Sequence, residues 1–232
     1  MSHWLGFWEG ANRIYVNERH RAVHYRQIAD DVLAVLPSRA APVVLDYGCG
    51  EALEAGRVAE RTERLFLFDA AKSVRERAAA RFAGSAKIAV LDHAGLAALA
   101  PASLDLIVVN SVLQYVPRED LPGLLALWLH LLKPGGVLAL ADIVPPDLGM
   151  LVDAGSLLKT AVRFGFLGAA LLGLASTFFS DYRRLRVEAG LSTYREAEML
   201  DLLRAAGFDP RRRVPNFGFN AARMTFLAVR MN

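Results

Sequence analysis

The chain has 232 residues, of which 54% are hydrophobic and 22% charged; at roughly 100–200 residues per domain this is one large domain or one domain with an insertion. So apolar a chain excludes intrinsic disorder, and 18 glycines without a period exclude a collagenous array. The balance of 27 Lys+Arg against 24 Asp+Glu leaves +3, a small excess rather than a basic field, so no nucleic-acid partner is expected.

The start of the chain, Met1-Ser2-His3-Trp4-Leu5-Gly6-Phe7-Trp8-Glu9, has no basic region followed by an apolar one, so no signal peptide is expected. Trp4, Phe7 and Trp8 read as a hydrophobic anchor in preference to an acceptor-facing group. Over residues 9–36, Ala22, Tyr25, Ile28, Ala29, Val32, Leu33 and Leu36 recur at steps of three and four, which predicts a helix with one buried face. His20 and His24 on it would suit two metal ligands. No third ligand is evident and Arg19, Arg21 and Arg26 surround them, so an exposed face is expected and no metal.

From Pro42 a rhythm of strand and helix begins. Residues 43–46, 65–69, 87–91, 104–110 and 137–144 are short runs rich in Val, Ile and Leu, the pattern of strands buried on both faces of a parallel sheet. Residues 119–132 carry one stripe of Leu121, Leu124, Leu125, Trp128, Leu131 and Leu132 and predict a helix. Residues 147–190 are too long for a connection and too apolar for a disordered loop, so they predict a helical insertion. Further on, Thr193-Tyr194-Arg195-Glu196 reads as a capping box opening a helix that Gly207 stops. Residues 211–214 and 223–230 complete the chain as an antiparallel pair joined by a turn at Pro215-Asn216-Phe217-Gly218. Alternating strands and helices make this a doubly wound α/β domain.

The chemistry concentrates after the first strand. Asp46-Tyr47-Gly48-Cys49-Gly50 is a glycine-rich turn between strand and helix, where Gly48 and Gly50 let the backbone approach a ligand closely. Asp69, 19 residues beyond Gly50, ends the second strand, where a carboxylate can accept both hydroxyls of a ribose; a solvated turn residue is the plain alternative. Leu53 stands where a dinucleotide fingerprint wants its third glycine, so close passage of a pyrophosphate is disfavoured. Asp46, delivered into the loop by the strand, would repel a pyrophosphate and attract an ammonium or sulfonium.

These residues resemble the class I S-adenosylmethionine-dependent methyltransferases, a resemblance running over residues 43–229. Asp46, Gly48 and Gly50 look like the family's acidic, glycine-rich first motif. Asp69 sits where its ribose-binding acid is expected, and Asp92-His93 where the adenine is bracketed. Asn110-Ser111-Val112-Leu113-Gln114-Tyr115 is similar to the segment after the fourth strand, and Leu132-Lys133-Pro134-Gly135-Gly136 to the loop before the fifth. The resemblance implies S-adenosyl-L-methionine as cofactor, held by Asp46, Gly48, Gly50, Asp69, Asp92, His93 and Asn110. It also implies a Rossmann-like, doubly wound, mostly parallel seven-stranded sheet with a terminal antiparallel strand. Ala52 departs from the pattern, standing where many members carry a glycine. The Asn/Asp-Pro-Pro-Tyr/Phe motif of nucleic-acid amino-methylases does not follow the fourth strand, which argues against a base methylase.

The expected organisation is an N-terminal helical lid over residues 1–41 and a cofactor-binding domain over 42–232, with the insertion at 147–190. The expected acceptor is a small molecule, apolar or lipid-like. If it needs a base, His24 and Tyr115 are the catalytic candidates by position; Asp142 near the end of the fifth strand lies at the functional edge or caps a turn. Cys49 reads as a small packed side chain. As the single cysteine it excludes an internal disulfide and fits a cytoplasmic, reducing setting. Residues 164–180 are 17 residues without a charge, with basic residues on both sides. They are short for a bilayer span, which needs about 20 residues; a helical cap over the acceptor site is expected, with peripheral membrane contact through 151–186 as the alternative. Two rival functions stand. A nicotinamide oxidoreductase would usually carry Tyr-x-x-x-Lys, and no tyrosine here has a lysine four residues on; a non-catalytic cofactor-binding module remains open.

Overall fold

The computed structural model describes residues 15–38, 41–177 and 191–231, together with Gly6 and Glu9. Seven strands form one sheet: β1 (Val43–Tyr47), β2 (Arg64–Phe68), β3 (Ile88–Leu91), β4 (Leu104–Asn110), β5 (Leu132–Ile143), β6 (Phe208–Arg213) and β7 (Met224–Arg230). Their order is β3-β2-β1-β4-β5-β7-β6. The first five pair in parallel, and β7 runs antiparallel to both β5 and β6. The fold is therefore the expected Rossmann-like α/β one, with the single reversed strand inserted beside β5.

The sheet is buried on both faces because its strands are apolar at consecutive positions. Leu45, Ile107, Val109, Leu138 and Leu140 join one core cluster with Trp128, Phe208 and Phe226; their neighbours Val44, Leu106, Val108, Ala139 and Ala141 join another with Val32, Val58 and Phe217. The described helices are α1 (Glu18–Leu33), α2 (Ala55–Glu60), α3 (Lys72–Phe82), α4 (His93–Ala97), α5 (Leu121–Leu131), α6 (Met150–Phe164), α7 (Leu167–Thr177) and α8 (Glu196–Ala205), with short 3₁₀ turns at Leu113–Tyr115 and Arg118–Asp120.

Several boundaries differ from the sequence reading. Helix α1 begins at Glu18, not near residue 9, because Asn17 is extended and its side chain accepts the His20 amide at 2.8 Å. Of its expected buried stripe, Ala22 is exposed. Strand β5 starts at Leu132, five positions before the apolar run, since Leu132 already pairs with Leu104 ahead of a register shift. Helix α8 opens after Arg195, whose amide donates to Glu198 at 3.2 Å; the box at Thr193 and Glu196 does not form. Strand β6 begins at Phe208, whose partner is Arg230. Trp4, Phe7 and Trp8 lie outside the described residues, as does the part of the insertion at 178–190.

The described part of the insertion is a helical hairpin, α6 turned into α7 by Gly165 at φ +75°. It closes over the start of α1. Ala161, Phe166 and Ala170 form a small core with Val16, Leu157, Leu158 and Phe164, and the Phe166 ring stacks on His20 at 5.2 Å.

Candidate functional site

In open α/β sheets ligands bind outside the carboxyl ends of the strands where the strand order reverses. Here that point lies between β1 and β4. The loop leaving β1 is held by three left-handed residues, Gly48 at φ +83°, Gly50 at +56° and Ala52 at +48°. Its amides turn back onto β2: those of Gly48 and Cys49 both donate to the Phe68 carbonyl, at 2.7 and 3.0 Å. A side chain at Gly48 would begin 2.2 Å from Val112 Cγ2, in the segment after β4. One at Gly50 would meet the Tyr25 hydroxyl at 2.9 Å. The loop is thus pressed between β2, the β4 segment and α1. Ala52 adopts the left-handed turn that glycine favours, at a cost of roughly 1–2 kcal/mol.

Asp69 joins the loops after β1 and β2. Its Oδ2 accepts the Gly50 amide at 3.0 Å and its Oδ1 the Ala71 amide at 2.9 Å. Asp69 is not a solvated turn residue, because it is half-buried and both its carboxylate oxygens are bonded to loop amides; burial pushes this carboxyl up while the two amides hold it down. Asp46 accepts no hydrogen bond among the described residues, and burial, with the nearby Asp69 charge, pushes its carboxyl up to about 7. Two acids thus face the crevice with no side-chain cation hydrogen-bonded to either carboxylate; the Arg75 guanidinium is spent on the Asp69 and Ala70 carbonyls, at 2.7 and 2.8 Å. At the end of β4, Asn110 Oδ1 is buried without a hydrogen-bond partner. Asp92 caps α4 by accepting the Gly95 amide at 2.7 Å, and the exposed His93 stands edge-on to Phe68 at 5.2 Å. Cys49 is buried and bonded only locally, and burial raises its thiol well above the usual range; it is packing, as expected.

Helix α1 lies against this loop. The Tyr25 hydroxyl accepts the Glu51 amide at 2.9 Å, and Arg21 reaches the Glu51 carboxylate at 3.3 Å. His20 and His24 are not on an exposed face. Both rings sit 5.4 Å from Tyr15, and burial lowers His24 to about 4 against the opposing pull of Asp142. At neutral pH the His24 imidazole is therefore uncharged. Tyr115, on a short 3₁₀ turn, lies within the electrostatic reach of Tyr15. No group of three His, Cys, Asp or Glu among the described residues could hold a metal ion.

Next to these groups is a polar network that the sequence did not single out. Ser111 and Asp142 are both left-handed, at φ +58° and +61°, and the Ser111 hydroxyl donates to Asp142 at 2.7 Å. Arg223 donates to Asp142 at 2.6 Å and to Asp153 on α6 at 3.2 Å, so it fastens the insertion to the end of β5. Asn220 adds a second bond to Asp153 at 2.7 Å. Left-handed non-glycine residues persist only where surroundings over-determine them, and they concentrate at functional sites. Asp142 lies at the carboxyl end of β5 and is held there by Ser111, Asn216 and Arg223.

Residues 44–136 match the model of a family described as a methyltransferase domain. An uncharacterized methyltransferase of Mycobacterium tuberculosis is 37% identical over 128 residues, covering 54% of this chain and 61% of that protein. A trans-aconitate 2-methyltransferase of Deinococcus radiodurans is 34% identical over 114 residues, covering 48% and 42%. The chain thus spans less than two thirds of the curated relatives it matches. Among solved structures, phosphoethanolamine N-methyltransferase 1 of Haemonchus contortus, with S-adenosylhomocysteine, superposes at TM-score 0.66 with 18% identity, over 98% of this chain and 47% of that one. Magnesium protoporphyrin IX methyltransferase of Synechocystis, with S-adenosylmethionine bound, gives 0.55 and 16% over 98% and 89%. Residues 44–136 are thus similar to a methyltransferase domain, and the solved structures share the fold.

Proposed function

We propose that the chain is an S-adenosylmethionine-dependent methyltransferase acting on a small, apolar or lipid-like molecule. The observation that carries the reading is the pair of carboxylates, Asp46 and Asp69, at the carboxyl ends of β1 and β2 beside a glycine cradle. The residues fit such a cofactor. The cradle admits no side chain at Gly48, and Asn110 Oδ1 is buried and unpaired. When bound, S-adenosylmethionine supplies an electrophilic methyl group on a sulfonium. Gly48 and Gly50 would allow its close approach, Asp69 would accept its ribose hydroxyls, Asp92 and His93 would hold the adenine, and Asp46 and Asn110 would lie toward the cationic end.

Methyl transfer is a displacement at carbon, so the protein chiefly aligns the reactants and excludes water. In this reading the N-terminal lid of residues 1–41 and the insertion at 147–190 perform that exclusion; in their described parts, Phe166 of the insertion packs on Val16 and His20 of the lid. His24 and Tyr115 are the acceptor-side candidates: His24 is uncharged at neutral pH and could accept a hydrogen bond from an acceptor hydroxyl, its basicity lowered by burial against the pull of Asp142, and Tyr115 would orient the acceptor. The protein acts in the cytoplasm.

Titration calorimetry with S-adenosylmethionine, S-adenosylhomocysteine and NAD tests this reading. The first two should bind and NAD should not; NAD binding alone would favour the oxidoreductase. Asp69→Ala should weaken binding of S-adenosylmethionine by about 1.5–3 kcal/mol, the worth of hydrogen bonds to a charged group. Unchanged affinity would remove its ribose role.

Asp46 makes that binding pH-dependent. Its carboxyl is raised in the folded protein to about 7, so it is largely protonated just below neutrality and must lose that proton when a cation settles beside it. Affinity for S-adenosylmethionine should therefore climb as pH rises from about 5 to 7 and level off above. The same raised value means this group withdraws folding stability over that rise, since the unfolded chain gives up the proton more readily. Asp46→Asn should flatten the affinity profile; a wild-type slope in that variant would place the titrating group elsewhere.

A further inference from the structure

We propose that the outer face of the α6–α7 hairpin docks on an anionic lipid surface. The sequence offered cap and membrane contact as alternatives, but the hairpin has two faces. Its inner face packs on Val16 and His20. Its outer face carries Leu151, Val152, Val162, Leu167, Leu171 and Leu172, six of the eight strongly exposed large apolar side chains among the described residues, with Leu151 88% and Leu172 75% exposed. On α6, Leu151, Gly155 and Val162 share one side at helical spacing. Scattered exposed apolar residues need no explanation; this concentration does.

The charges name the occupant. Exposed Lys159 and Arg163 interleave with the apolar residues of α6, and Arg19 lies against the turn, its Nη2 3.6 Å from where a Gly165 side chain would begin. Asp153, the one acid between 150 and 177, is turned away into its bonds with Arg223 and Asn220. An apolar face with a basic rim and no exposed acid between 150 and 177 matches an anionic bilayer surface. A second copy would bring the same cations against each other. No helix of the described residues is long and apolar enough to cross a membrane, so the contact lies in the interface plane. The docking itself is independent of the reaction; only its bearing on a membrane-borne acceptor rests on the methyltransferase reading.

The test is co-sedimentation with vesicles of phosphatidylcholine alone and of phosphatidylcholine mixed with phosphatidylglycerol, at low and high salt. Wild-type protein should sediment with the mixed vesicles and be partly released by salt. Lys159→Glu/Arg163→Glu should weaken this by at least about twenty-five-fold, from roughly fivefold for each basic residue near such a surface. Leu151→Asp/Leu172→Asp should abolish it. Both variants should keep wild-type affinity for S-adenosylhomocysteine, which shows that they fold and separates this proposal from the cofactor reading. Protein that stays in the supernatant with every vesicle would overturn docking. So would undiminished binding of both variants, or a dimer in sedimentation velocity that Leu151→Asp/Leu172→Asp dissociates without any vesicle binding.

Discussion

Gly48→Val is expected to abolish binding of S-adenosylmethionine and to destabilise the fold. Two effects act together. The residue sits at φ +83°, a region that a β-branched side chain scarcely adopts, and its first carbon would lie 2.2 Å from Val112 Cγ2. Overpacking of this kind costs about 1–3 kcal/mol, and relief requires the loop after β1 or the segment after β4 to move. Movement of the loop carries the Gly48 and Gly50 amides away from Phe68 and Asp69, and movement of the segment shifts the chain that follows Asn110. Calorimetry should show no heat of binding, and urea denaturation a lower midpoint with an unchanged slope. Wild-type affinity in a folded variant would mean that this loop is not the site.

Arg223→Met is expected to cost about 3 kcal/mol of folding stability. The guanidinium is only 14% exposed and holds Asp142 and Asp153 apart, at 2.6 and 3.2 Å. The carboxylates hold Arg223 well above its ordinary value against the cost of burial, as the geometry requires. Removing one partner of a buried ion pair leaves uncompensated charge, and such losses run to about 3–5 kcal/mol; the partly exposed acids place this one near the lower end. Here two acids are stranded together. Arg223→Lys, keeping charge but losing the fork, should recover part of the loss. Because Asp153 is on the insertion, Arg223→Met should also speed proteolysis there. A variant as stable as wild type would show that the network carries no load.

The strands were legible because double-sided burial writes itself as unbroken apolar runs; β4 was read to the residue. Where pairing is made by atypical residues it was hidden. Strand β5 starts in Leu132-Lys133-Pro134-Gly135-Gly136, which reads as a turn, and β6 crosses Pro210 and three arginines, an edge-strand composition that gives no alternation. The cap at Thr193 failed because the chain stays extended to Arg195, where the Glu198 carboxylate bonds the backbone instead. The convergence of Asp46, Gly48, Gly50 and Asp69 could be read since they belong to loops whose spacing is local. Asp142, Asp153 and Arg223 come from three elements and have no spacing to betray them. The left-handed φ of Ser111 and Asp142 also leaves no trace in residues that are not glycine. The one available signal was Asp142 at the end of a buried strand. His20 and His24 share a face as their separation indicates, but their burial depends on Tyr15 and Phe166, which no periodicity brings together.

The acidic, glycine-lined crevice is proposed to serve methyl transfer to a small molecule. The direct measurement incubates the protein with methyl-labelled S-adenosylmethionine and a cell extract separated into aqueous, lipid, protein and nucleic-acid fractions, with Gly48→Val in parallel. The account predicts label in a small-molecule or lipid fraction with wild type and none with the variant. Label confined to protein or nucleic acid, or no label transferred by a protein that binds the cofactor, would contradict it.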